Sequence, residues 1–278
     1  MVRGAGSGRR GAGLVIVEGI PAPRFRAELK RDHLTALAGE IHEGGALAAV
    51  QLIPVDMARH RAPPATLSGD EIEAMVADCE LAARRCREAG FDGVELHGAH
   101  GFVLNQFFSP QQNERRDAYG GSFENRSRLA LRIVGAMREA AGDALLLYRH
   151  TPVGPGYGVP ESHRFARMLV EAGVDVLDLS PSSAEEPGDL AAPFGDLGVR
   201  SIAVGAFHHV ERPLTVLREG RAQLVAVGRG LIADPQWPHK VREGRLDEIV
   251  MCAECNKGCH GNLAQGIPIA CVMWENEP

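Results

Sequence analysis

Seven short runs of aliphatic and β-branched residues recur along the chain, each separated from the next by a stretch with helical periodicity. They begin near Leu14 (LVIVEG), Ala46 (ALAAVQL), Asp92 (DGVELH), Ala144 (ALLLYRH), Asp175 (DVLDLS), Ser201 (SIAVG) and Gln223 (QLVAVGRG). Strands that alternate with helices predict parallel βαβ units rather than a sandwich. Between the second and third runs, Ser68 and Glu71 are spaced as a capping box, and Ile72, Met75, Val76, Cys79, Ala83 and Cys86 share one face of the helix that follows. Gly90 is placed to end that helix as its C-cap. Further helices are expected from Phe123 to Ala141 and over 161–172. With 278 residues and 45% hydrophobic composition the chain can bury a large core, in one or two domains.

Polar residues collect at the ends of these strands. Gln51, His97, Arg149, Gly205, Gly228 and Arg229 each lie at or just after the carboxyl end of a different run, except for the adjacent Gly228-Arg229 pair. In a (β/α) barrel that rim is where ligands bind, and the loops after the last two strands form the usual phosphate site. Gly205 and Gly228-Arg229 fall in those two loops. Glycine lets backbone N–H groups approach a phosphate, and a guanidinium adds a bidentate charge.

Four of the six cysteines, Cys252, Cys255, Cys259 and Cys271, fall in the last 27 residues. Thiolates select soft metals, and three cysteines within eight residues plus a fourth further on is a common way to hold a cubane iron–sulfur cluster. A structural zinc site is the alternative, although zinc more often takes two compact Cys-x-x-Cys pairs; free thiols or disulfides are the remaining readings. Cys79 and Cys86 lie on the apolar face of a predicted helix and read as core residues. A net charge of −6 gives no basic field for nucleic acid or an acidic membrane. No run is long enough to span a membrane, and residues 1–13 lack an apolar signal core. A centre that needs reduced thiols points to the cytoplasm.

The stretch GVELHGAHGFVLNQFFSPQQNERRDAYGGSFENR, with the VGRGLIADPQW and CAECNKGC segments, resembles the Old Yellow Enzyme group of FMN-dependent ene-reductases. Within it, the cysteine spacing is similar to the branch containing 2,4-dienoyl-CoA reductase and trimethylamine dehydrogenase. The resemblance runs from about Gly13 to Cys271. It implies a (β/α)8 TIM barrel that binds FMN over 1–245 and a 4Fe-4S segment over 246–278, ligated by Cys252, Cys255, Cys259 and Cys271. It matches Gln51 to the glutamine that bonds the flavin pyrimidine ring and Arg149 to the arginine beside N1 and the C2 carbonyl. Gly205, Gly228 and Arg229 match phosphate positions. His97 and His100 match the pair that holds a substrate carbonyl oxygen over the flavin. The implied reaction is reduction of an activated C=C bond in an enone or enoyl thioester, with NAD(P)H as electron source. An amine-type dehydrogenase of the same family, and a non-catalytic barrel remnant, are the alternatives.

The departures from that pattern are equally specific. Phe102 stands where many relatives place a proton-donating tyrosine. The segment SPSSAEEPGDL has no histidine where dienoyl thioester reductases carry one. His208 and His209 could be nominated in its place but read better as a solvated turn. Family barrels begin with a strand upstream of the one at Leu14, so this barrel is expected to lack its first strand. Seven residues follow Cys271, so electron supply is expected from a partner flavoprotein or a further flavin domain. A homo-oligomer is compatible with these features.

Overall fold

A computed structural model describes residues 11–182, 190–205, 207 and 209–276. All seven runs are strands: β1 (Leu14–Pro21), β2 (Leu47–Ile53), β3 (Gly93–Gly98), β4 (Leu145–His150), β5 (Val176–Leu179), β6 (Arg200–Val204) and β7 (Leu224–Ala226). They form one sheet in chain order, every pair parallel. The helices α1 (Arg31–Glu43), α2 (Gly69–Glu88), α3 (Val103–Phe108), α4 (Phe123–Ala141), α5 (Val159–Glu171) and α6 (Glu211–Arg218) lie between strands, and α7 (Arg229–Ala233) and α8 (Trp237–Arg242) follow β7. None of the helices among the described residues is long and apolar enough to cross a membrane.

Alternation along each strand divides the sheet into two faces. Val50, Leu52, Val94, Leu96, Leu146, Tyr148, Leu177, Leu179 and Ala203 join the main core with Ile72 and Cys79 of α2, Leu129 and Ile133 of α4, and Phe165 and Leu169 of α5. The residues between them, Ala49, Leu147, Val176 and Ile202, form a separate apolar cluster with Leu14, Ile16, Leu145, Val204 and Ala226. That second cluster is the inside of the curled sheet. Two packed faces explain why the strands read as nearly continuous apolar runs. The ladder runs unbroken from β1 to β7, and among the described residues none joins β7 back to β1 or precedes β1. Over the described residues the architecture is an α/β TIM-type barrel of seven strands, open between β7 and β1, as the sequence led us to expect.

The helix signals hold in detail. Ser68 Oγ accepts from the Glu71 N–H at 3.2 Å and Glu71 Oε2 accepts from the Ser68 N–H at 2.8 Å, closing the capping box of α2. The C-cap is Ala89, with Gly90 one residue beyond in a left-handed conformation (φ +90°). Cys79 and Cys86 are buried, and burial pushes the Cys86 thiol up to about 12; both are core residues.

One glycine ties the fold to the rim. At Gly98, the last residue of β3, a Cβ would lie 2.0 Å from the hydroxyl oxygen of Tyr148, which is itself only 1% exposed. The strand can pass the tyrosine only without a side chain there. Gly98→Ala is therefore expected to cost roughly 1–3 kcal/mol through overpacking. A urea unfolding midpoint equal to that of the wild type would show that the ring has room to move.

Candidate active site

The strand register sets the site out in rows. Gln51 of β2 pairs with Glu95 of β3, and His97 of β3 pairs with Arg149 of β4, which pairs in turn with Asp178 of β5. By the period-2 rule all five project to the inside of the sheet, above the apolar cluster of Ala49, Leu147, Val176 and Ile202. Gln51, Glu95, His97 and Asp178 are buried, and the Arg149 side chain is 26% exposed. The sheet thus has an apolar floor and a polar mouth.

The polar groups are linked. Gln51 Nε2 donates to Glu95 Oε1 at 2.6 Å. Arg149 Nη2 donates to Ser180 Oγ at 3.2 Å, while its Nε faces Asp178 Oδ2 at 3.6 Å, an ion pair too long for a hydrogen bond. Glu95 Oε2 and Asp178 Oδ1 are buried without a hydrogen-bond partner.

His97 and His100 are brought together at the end of β3. The backbone turns at His100 with φ +59°, a conformation costly for a side chain and held here by the His100 N–H donating to Thr151 Oγ1 at 3.1 Å. The Ala99 N–H donates to His97 Nδ1 at 3.3 Å, which assigns the proton of a neutral His97 ring to Nε2. That nitrogen lies 3.4 Å from His100 Nδ1, and His100 Nε2 lies 2.9 Å from Ser180 Oγ. Two neutral imidazoles in this arrangement each carry an Nε2–H donor. Burial, together with the charges of Arg149 and Arg61, lowers His97 to about 3 and His100 to about 4, so both rings are neutral at pH 7.

Phe102 stacks on His97 with ring centroids 4.4 Å apart and planes 11° from parallel. Its other neighbours are His60, at 4.5 Å, and the Arg61 guanidinium, 5.3 Å from the ring centre. Phe102 fixes the plane of His97 and offers no proton. His209 pairs with Glu254 at 3.6 Å and is exposed, as a surface turn should be; His208 and residues 183–189 of the SPSSAEEPGDL segment lie outside the described residues.

The segment after Phe108 supports the rim. Asn113 Nδ2 donates to the carbonyls of Phe107 (2.7 Å) and Tyr119 (2.8 Å), and Arg115 Nη1 donates to those of Pro64 and Leu67 (both 2.6 Å). Arg126, 8% exposed, donates to the Phe108 carbonyl at 2.9 Å and pairs with Glu161. These polar side chains clamp the α3–α4 loop and hence the turn carrying the histidines.

Gly205 and Gly228 lie at neighbouring strand ends, since β6 and β7 pair through Val204 and Ala226. Arg229 opens α7 and donates from Nη1 to Asn256 Oδ1 at 3.2 Å, so it reaches the cysteine loop. In that loop Glu254 and Asn256 are left-handed (φ +53° and +54°), and the Glu254 N–H donates to Cys252 Sγ at 3.4 Å. The Ala270 N–H donates to the Gly258 carbonyl at 2.8 Å, which lays the backbone before Cys271 beside that before Cys259. All four thiols are free. Among the described residues no three Cys, His, Asp or Glu side chains converge as a metal-holding group.

The structure brings Gln51, Arg149, His97 and His100 together at the strand ends where the sequence placed them, and adds Glu95, Asp178 and Ser180, which the sequence did not single out. A signal was present. Glu95 lies two residues before His97, and Asp178 two before Ser180, so each shares its neighbour's face.

A barrel with its polar mouth at the carboxyl ends of the strands defines a ligand-binding (β/α) enzyme domain. The model of the NADH:flavin oxidoreductase / NADH oxidase family matches residues 54–186. An NADPH dehydrogenase of Bacillus licheniformis is 33% identical over 238 residues, covering 74% of this chain and 69% of the relative. An NADH oxidase of Thermoanaerobacter brockii is 40% identical over 230 residues, covering 76% of this chain but 35% of the relative, so the chain spans about a third of that protein's length. Among solved structures, a 2-naphthoyl-CoA reductase in complex with 2-naphthoyl-CoA superposes with a TM-score of 0.85 at 22% identity, over 97% of this chain and 50% of that one. The chain belongs to the NADH:flavin oxidoreductase / NADH oxidase family.

The lowered histidine values give a pH prediction. A base whose folded pKa lies below its unfolded value of 6.5 contributes stability that is present above pH 6.5 and lost as pH falls toward the folded value. For His97 the loss between pH 6.5 and 4 is about 3 kcal/mol. Wild type should therefore lose urea resistance over this interval more steeply than His97→Asn, which cannot titrate. Parallel profiles would show that His97 is protonated in the folded protein.

Proposed function

We propose that the chain reduces an activated C=C bond, in an enone or enoyl thioester, and that the observation carrying this reading is the pair of neutral Nε2–H donors on His97 and His100 at the mouth of the sheet. FMN, when bound, supplies hydride to the alkene and is recharged from NAD(P)H. The interior polar groups suit such a ring: a glutamine amide anchored on one side, and on the other a guanidinium whose Nε has no hydrogen bond. Arg149 would hold a positive charge beside the electron-rich pyrimidine edge, Gln51 would bond it, and Gly205, Gly228 and Arg229 would receive the phosphate.

His97 and His100 would then bond the substrate carbonyl oxygen. Neutral imidazoles suit this task, because they donate a hydrogen bond without surrendering a proton and stabilise enolate charge as it develops. In the present structure the His97 donor engages His100 Nδ1 and the His100 donor engages Ser180 Oγ, and the 3.4 Å contact between the rings is long enough to be exchanged for a substrate oxygen. Phe102 gives the substrate carbon no proton. Protonation then falls to water or to a group outside the pair.

The segment 246–278 would hold a 4Fe-4S cluster on Cys252, Cys255, Cys259 and Cys271. Four free thiols are the right donor chemistry, and the Gly258–Ala270 backbone bond joins the two parts of the set. Assembly must draw the sulfurs inward from their present positions. A redox partner flavoprotein or a further flavin domain would deliver electrons there.

Anaerobic reoxidation of the reduced flavin by a series of enones tests the site. His97→Ala combined with His100→Ala should abolish reoxidation and weaken binding of phenols, which mimic an enolate oxygen. Phe102→Tyr should accelerate a protonation-limited turnover, since a well-placed acid contributes about 10²–10⁴-fold. Reoxidation indifferent to loss of both histidines would refute their role. For the cluster, anaerobically purified protein should contain about four irons per chain and lose them in Cys259→Ser; one zinc and no iron would identify the other kind of site.

A further inference from the structure

The interior of the barrel contains more acid than its partners require. Glu95 is fully buried and Asp178 is 2% exposed, and among the described residues Arg149 is the one cation that faces them. Two carboxylates and one guanidinium would leave a net negative charge buried in the sheet, which is costly. The hydrogen bonds repeat the imbalance: Glu95 Oε1 accepts from Gln51, but Glu95 Oε2 and Asp178 Oδ1 are buried acceptors with no donor. Both side chains project into the same interior from the two strands that flank β4, and two ionised carboxylates there could not satisfy each other's orphaned oxygens, because neither has a proton to donate.

We propose that Glu95 and Asp178 share a single proton between their carboxyls, and that this pair acts as a positioning element holding Gln51 and Arg149 in the orientation that receives a flavin ring. The second half rests on the function proposed above. One proton supplies the missing donor for both orphaned oxygens, and it leaves one carboxylate against one guanidinium, so the interior is neutral. Burial is the largest influence raising both acids above the ordinary carboxylate range, and for Glu95 the Asp178 charge adds to it against the opposing pull of Arg149.

The consequence for Gln51 is directional. An amide that donates from Nε2 to Glu95 must turn its oxygen elsewhere, and Oε1 lies toward Gly19 on β1, where a Cβ would stand 3.0 Å away. Glu95 therefore decides which end of the amide is offered to a ligand. Asp178 does the same for Arg149, through the ion pair at 3.6 Å, while Ser180 accepts from Nη2.

Infrared difference spectroscopy in H2O and D2O tests the proton without any cofactor. The purified protein at neutral pH should show a deuterium-sensitive carbonyl band of a buried carboxylic acid, absent from Glu95→Gln. In that variant the amide can accept from Gln51 and donate to Asp178 unaided, so FMN affinity should stay within about threefold of wild type. Glu95→Ala leaves the Gln51 amide unanchored and should weaken FMN by about tenfold or more, the scale of one lost hydrogen bond. Absence of the acid band, or its persistence in both Glu95→Gln and Asp178→Asn, overturns the shared proton. Equal FMN affinity in wild type and Glu95→Ala overturns the positioning role. If the wild type binds no FMN, the cofactor reading fails and the positioning role with it, and the acid band alone then decides whether the proton is shared.

Discussion

The in-step parallel register of β2 to β5 is the constraint on which the rest of this structure depends. Gln51 opposite Glu95, and His97 opposite Arg149 opposite Asp178, place five polar side chains in the mouth of one curled sheet. A slip of one residue in any of these strands would turn its polar residue into the helix-packed core and its neighbour, such as Leu96 or Tyr148, into the mouth. The apolar packing against α2, α4 and α5 therefore does two things at once. It drives the strands together and fixes which chemistry faces inward.

That inward chemistry is expensive to bury and correspondingly specific. A guanidinium, two carboxyls, an amide and two imidazoles sit above a floor of alanine, leucine, valine and isoleucine. Each survives there because another is beside it: Glu95 anchors Gln51, Asp178 faces Arg149, and Ser180 accepts from both Arg149 and His100. The histidines remain neutral for the same reason, since burial and the nearby arginine charges oppose an imidazolium. Neutral donors held in fixed planes are what a developing oxyanion needs.

The carboxyl-terminal segment is docked on the barrel beside α7, at the end of β7. Trp274 Nε1 donates to the Ile232 carbonyl of α7 at 2.8 Å, and Arg229 of the same helix reaches Asn256 between the second and third cysteines of the run. The helix that opens on the expected phosphate site thus carries the cysteine loop on its flank. Lys240 adds a second anchor, pairing with buried Asp234 at 2.7 Å and donating to the Glu248 carbonyl at the same distance.

The sequence by itself determined the seven strands, the capping box of α2, the extent of α4 and the rim positions of Gln51, His97 and Arg149. All of these depend on periods, caps and strand ends, which are set by residues close together in the chain. The family resemblance drew on the stretch that contains Asn113, Arg115 and Arg126, although only the structure shows that these residues clamp the loop beneath the histidines. Tertiary structure alone decided that Glu95 and Asp178 are buried in one mouth, that Arg229 turns toward Asn256, and that Phe102 lies flat on His97. Those meetings join separate strands and loops, or follow from the unusual backbone turn at His100, and a one-dimensional pattern does not contain the sheet curvature that brings them within reach. Glu95 and Asp178 are the clearest case: each looks like one more polar residue in an aliphatic strand until the register places them in the same mouth, where burial changes what a carboxyl group is.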